Sequence, residues 1–168
     1  SMTKTVNAAI VGTLVKAGSM SLDQSELRPE WKADGRAKIT LADLLAMSSG
    51  LEFNEYYGDV TDVTRMLFLT PDMAAFTAAK PLTGEIGKVW NYSSGTATLI
   101  SRLWQDVLGG GAEALAWPSR KLFQPLGMSS AVLETDETGT FVGSSFMYAT
   151  ARDWARFGQF LLQVGVWN

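Results

Sequence analysis

The run Ser1-Met2-Thr3-Lys4-Thr5-Val6-Asn7-Ala8-Ala9-Ile10-Val11-Gly12-Thr13-Leu14-Val15-Lys16 decides how the chain begins to fold. Val6, Ile10 and Leu14, with Val11 and Val15 beside them, recur at helical spacing. That spacing predicts a helix from about Met2 to Ala17, stopped by Gly18. Ser1 and Lys4 stand three residues apart, so they share a face with Cβ atoms about 5–6 Å apart. A hydroxyl at the first turn sits among unpaired backbone N–H groups and the positive end of the helix dipole. An oxygen that gains negative charge is stabilised there. The pair therefore points to a nucleophilic serine activated by a lysine. The same spacing recurs at Thr13/Lys16 and Thr77/Lys80, and a serine at a helix head commonly serves only as a cap. The meaning of Ser1 and Lys4 depends on the rest of the chain.

The 168 residues suit one domain, expected to span 1–168, and 46% of them are hydrophobic against 18% charged. A core of useful size is within reach, and the composition is not that of a disordered chain. Net charge is −3, which gives no electrostatic footing for nucleic acid. No apolar run approaches the roughly 18 residues that span a bilayer. Two zeros constrain the chemistry more tightly. Without cysteine there is no thiol nucleophile, disulfide or thiolate metal site. Without histidine there is no Ser-His-Asp triad, and the commonest general base and metal ligand is missing. Acyl transfer would need a lysine, tyrosine or carboxylate to move the proton, and neither a metal nor a cofactor is implied.

Outward from the first helix, Ser19 to Lys38 reads as a loop pinned by Leu22 and Trp31. Thr40-Leu41-Ala42-Asp43 has the form of a capping box, opening a short helix with Leu41, Leu44 and Leu45 on its apolar face. Leu51 to Asp59 is a polar and aromatic loop carrying Phe53, Tyr56 and Tyr57. Helices are expected from Val60 to Phe68, from Pro71 to about Lys80 with proline at the first helical position, and from Thr96 to Leu108. Gly109-Gly110-Gly111 breaks the chain, and Ala112 to Phe123 is helical around Pro118, which could open a second short helix. Ala131 to Glu134 and Thr140 to Gly143 read as two short strands about a turn at Asp136 to Gly139. Thr150-Ala151-Arg152-Asp153 caps a last helix through Phe157, Phe160, Leu161 and Leu162. The fold class is mainly α with a few short strands.

A hydroxyl that attacks a carbonyl must lose its proton, and the leaving group must gain one. Without histidine, a lysine and a tyrosine can share the work if their surroundings move both pKa values. Tyr92 stands in a loop-like position before Ser93 and Ser94 and supplies the phenol. Taken alone, Tyr92 reads more readily as a core or rim aromatic than as a catalytic phenol.

Together these pieces resemble the serine β-lactamase and penicillin-binding-protein superfamily, in its class C β-lactamase-like branch of esterases, DD-peptidases and 6-aminohexanoate-dimer hydrolases. Ser1-Met2-Thr3-Lys4 matches S-x-x-K. Tyr92-Ser93-Ser94 matches Y-x-N with serine in the third place. Ile39 to Leu51 is similar to a segment of that branch, as are the Phe123-Gln124-Pro125-Leu126-Gly127-Met128 turn and the helix after Tyr148. The resemblance implies Ser1 as nucleophile and Lys4 and Tyr92 as proton-transfer groups. It implies an acyl-enzyme released by water, on a small-molecule amide or ester. The oxyanion hole would be built of backbone N–H groups, with that of Ser1 among them. Ser94 and the aromatics Tyr56 and Tyr57 become candidates for substrate binding. Serine at 94 is shorter than asparagine and lacks a separate amide donor and acceptor, which favours esters and small amides over efficient β-lactam turnover.

The sequence departs from that family in length and in lacking K-T-G or H-x-G. It resembles the helical portion of the α+β serine β-lactamase/DD-peptidase fold without most of its central sheet. Weak or no hydrolysis by these residues alone is the expectation. A bare face of the first helix would favour self-association or a partner. Two rival readings stay open: a non-catalytic helical module binding a ligand or partner, and an N-terminal-nucleophile hydrolase using the Ser1 α-amine.

Overall fold

A computed structural model describes residues 1–167; the terminal Asn168 lies outside the described residues. The first helix, α1, runs Thr3–Lys16 and buries Val6, Ile10, Val11 and Leu14, the stripe read from its spacing. α2 (Leu41–Leu45) opens on the expected capping box. Thr40 Oγ1 accepts from Asp43 N, and the Asp43 carboxylate accepts from Thr40 N. α3 (Asp62–Leu69) and α4 (Met73–Ala78) follow. Pro71 lies outside α4, because Asp72 takes the cap by accepting from Ala75 N at 2.9 Å. An aspartate side chain satisfies an orphan N–H directly, which outcompetes a proline start at 71.

α5 (Ser94–Val107) is the central helix, packed against α1, α2 and α4. Leu99, Ile100, Leu103 and Trp104 fill the core from it. Its register against α1 is held by one polar side chain, Asn7. Asn7 Nδ2 donates to Ala97 O at 2.8 Å, and its Oδ1 accepts from Ser101 Oγ at 3.1 Å and Trp104 Nε1 at 2.9 Å. One turn earlier on both helices, Lys4 meets Ser94. Contacts therefore advance in the same sense along α1 and α5, and the Asn7 node fixes the level at which the site forms. A glycine allows the node to close: a Cβ on Gly143 would lie 2.3 Å from Ser101 Oγ and 2.6 Å from Asn7.

α6 (Gly111–Pro118) runs into a single π turn, Ser119–Phe123, where Gln124 N donates to Ser119 O. Pro118 offers no N–H and crowds the preceding turn, so the helix widens there in place of starting afresh. α7 (Ala151–Leu162) buries Phe157, while Leu161 and Leu162 face solvent.

The strand expectation needs correcting. β1 (Val132–Leu133) pairs antiparallel with β2 (Met147–Tyr148), and 140–143 contributes only a bridge between Thr135 and Phe141. Phe141 stacks on Trp104 and Val142 is buried, so two successive residues of the expected strand are spent on packing. The loop 19–38 is tied down by Trp31, fully buried with its Nε1 donating to Ala78 O, and not by Leu22, which is exposed. The outcome is a helical assembly with one two-stranded ribbon, as the resemblance implied.

Candidate functional site

Four segments converge beside the first turn of α1. Ser93 caps α5 by accepting from Thr96 N, which leaves the N–H of Ser94 unpaired within the helix. Glu55 takes it: one carboxylate oxygen accepts from Ser94 N at 2.8 Å, the other from Ser94 Oγ at 2.5 Å. A carboxylate is favoured at that positive helix end. The loop carrying Glu55 reaches α5 because Phe53 lies against Gly95, where a Cβ would stand 2.4 Å from the ring. Asn91 Nδ2, donating to Phe53 O, pins it further.

Lys4 completes the cluster. Its Nζ donates to Ser94 Oγ and to Ser144 O, each at 3.1 Å, and lies 4.5 Å from the centroid of the Tyr92 ring. Tyr92 Oη accepts from the Ser1 nitrogen at 2.9 Å. Ser1 Oγ accepts from Thr3 N at 3.2 Å and donates to Thr3 Oγ1 at 3.0 Å. Thr3 in turn donates to Ser145 O. Ser1, Lys4, Tyr92 and Ser94 thus share one cluster, with the Gly143-Ser144-Ser145 turn as its floor.

Electrostatics separate the roles. Burial holds the Lys4 ammonium below its ordinary value, with the Glu55 charge pulling the other way. Burial, then Glu55, pushes the Tyr92 phenol above its ordinary value. A lowered amine beside a raised phenol is the direction of shift that a proton relay between the two needs.

The two loop tyrosines part company. Tyr57 Oη lies 3.5 Å from Glu55 Oε1, and burial raises its pKa. Tyr56 is exposed, with its ring folded over Gly58 and outside the cluster. Glu55 and Ser144 are absent from the sequence-based set. Glu55 meets Ser94 across 39 positions and Lys4 meets Ser144 across 140, and neither contact has a local spacing that announces it. On its outer face α1 presents Ala8 and Gly12 to a groove of about 770 Å³, closed by Trp117, Leu126, Phe160 and Trp167. Among the described residues no helix is long and apolar enough to cross a membrane.

Comparison with known proteins shows the family and the fold. The family model described as Beta-lactamase matches residues 1–166. No curated protein sequence matches. Among solved structures, a provisionally named 6-aminohexanoate-dimer hydrolase from Bacillus anthracis superposes with a TM-score of 0.82 at 24% identity, over 100% of this chain and 48% of that one. D-amino acid amidase from Ochrobactrum anthropi SV3, complexed with L-phenylalanine, gives 0.73 at 20%, over 100% and 55%. A class C beta lactamase from Rhodobacter sphaeroides gives 0.69 at 18%, over 100% and 52%. The chain spans about half the length of these structures.

Proposed function

This chain belongs to the Beta-lactamase family, and we propose that it carries the acylating centre of a serine hydrolase of esters or small amides. Ser1 Oγ attacks the substrate carbonyl carbon, and its proton passes to the lone pair of Lys4 Nζ. The tetrahedral intermediate collapses as the bond to the leaving group breaks, and that group takes a proton from the Tyr92 phenol. Lys4 returns the proton to Tyr92, and water then releases the acyl group from Ser1. The observation that carries this reading is the setting of Lys4, a half-buried amine held by Ser94 Oγ and Ser144 O beside the Tyr92 ring, one turn from Ser1.

The solved neighbours described as an amidase and a beta lactamase support a carbonyl substrate. Ser94, shorter than an amide side chain, supports the smaller members of that class. Turnover by these 168 residues is proposed to be weak, since the sequence contains neither K-T-G nor H-x-G to supply a second oxyanion donor.

The test is the pH dependence of Ser1 acylation by a fluorophosphonate. Only the neutral amine accepts a proton, so the rate rises with pH as Lys4 loses its own. Because the folded environment lowers Lys4 from 10.5, the midpoint of that limb is expected below 10.5. The rate is expected to fall again only above 10.0, because Tyr92 is raised from that value and must still be protonated. A rate independent of pH between 6 and 10 would contradict the assignment.

A further inference from the structure

The cluster contains a carboxylate to which the relay gives no role. Glu55 engages both polar groups of Ser94, the N–H at 2.8 Å and the hydroxyl at 2.5 Å. A serine hydroxyl owns one proton and two lone pairs. With its proton committed to Glu55, Ser94 Oγ can meet Lys4 only as an acceptor. The other partner of Lys4 is the Ser144 carbonyl, which accepts and never donates. A neutral lysine amine has two N–H bonds and one lone pair, and both N–H bonds are taken by groups that cannot protonate it. The lone pair is left for the remaining tetrahedral direction.

We propose that Glu55 is a positioning residue that fixes the polarity of Ser94, so that the lone pair of Lys4 is kept free for the Ser1 proton when that hydroxyl turns away from Thr3 Oγ1. This rests on the reading of Lys4 as base. Were Glu55 neutral, the Ser94 hydroxyl could turn and donate to Lys4, capping the base it now supports. A glutamine at 55 can accept from only one of the two Ser94 donors and turns N–H toward the other. The ionisable groups gathered about Lys4 are Tyr92 and Glu55, with Tyr57 set against both Glu55 and Ser94. Glu55 is the one anionic side chain in that set, and it holds the Lys4 pKa up against burial.

Charge and polarity make opposite predictions for Glu55→Gln. Loss of the charge lowers the Lys4 pKa further and leaves more neutral amine near pH 7. If charge were the whole role, acylation would speed up or stay level. The polarity account expects it to slow by about a hundredfold.

The experiment combines NMR titration of the Lys4 ε-carbon with fluorophosphonate labelling rates, in the wild type, Glu55→Gln and Glu55→Asp. The expected result is a lower Lys4 midpoint in Glu55→Gln together with the slower rate. Glu55→Asp is expected to keep the wild-type midpoint and regain part of the rate, since its charge remains while its reach is shorter. A Lys4 midpoint unmoved in Glu55→Gln, or a rate undiminished, overturns the proposal, and Glu55→Asp alone decides it if the glutamine variant does not fold. The titration needs no catalysis. A wild type that never acylates would sink the hydrolase reading, while a shifted midpoint would still support the coupling of Glu55 to Lys4.

Discussion

Lys4→Met is expected to slow acylation of Ser1 by about 10³-fold, the middle of the range for a positioned general base, while the protein stays folded. Methionine reproduces the length of the lysine stem and keeps its packing, but it carries no strong acceptor for a proton. Ser94 Oγ and Ser144 O lose their donor, and water reaches them from the open side of the site. Lys4→Arg makes the argument stricter. Arginine can still donate to both oxygens and keeps the positive charge, yet it does not deprotonate in a protein. Both variants should lose acylation alike if Lys4 acts as a base. Wild-type labelling rates in Lys4→Arg would show that only a positive charge is needed there, and the relay would fall.

The largest effect on stability is expected at Asn7. Its side chain is buried and makes three hydrogen bonds, to Ala97 O, Ser101 Oγ and Trp104 Nε1. Asn7→Leu keeps the volume and removes every polar partner. The Trp104 N–H and the Ser101 hydroxyl are then buried without a mate, at about 1–3 kcal/mol each. A loss of about 3 kcal/mol is expected. In a chain of this length that lowers the melting temperature by roughly 6–12 °C. Because the same node sets the level of α1 against α5, Lys4 drifts from Ser94 and acylation falls as well. A melting temperature within a degree or two of wild type would show that the register is held elsewhere.

How much of this was legible in the sequence follows from the range of each interaction. The α1 stripe and the Thr40/Asp43 box are written within one or two turns, and the structure forms them where the spacing placed them. The spacing of Ser1 and Lys4 was legible too, but the structure pairs the Ser1 hydroxyl with Thr3 Oγ1 and the Lys4 amine with Ser94 and Ser144. Tyr92 and Ser94 were found through the resemblance, since nothing local marks a tyrosine as belonging to a lysine 88 positions before it. Glu55 was not found at all. It sits between Asn54 and Tyr56 in a loop with two other acids, Glu52 and Asp59, and only the approach of Phe53 to Gly95 selects it. The ribbon was misread because Phe141 and Val142 have the composition of a strand and the burial of a core. Alternation would have exposed one of them, and tertiary packing overrode it.

The most direct measurement is to treat the wild-type chain with a fluorophosphonate at pH 8 and map the adduct by peptide mass spectrometry, with Ser1→Ala, Lys4→Met and Tyr92→Phe alongside. The account predicts one adduct, carried by the Ser1 hydroxyl, absent from Ser1→Ala and strongly reduced in the other two. An unmodified wild type would contradict it, as would an adduct that persists in Ser1→Ala.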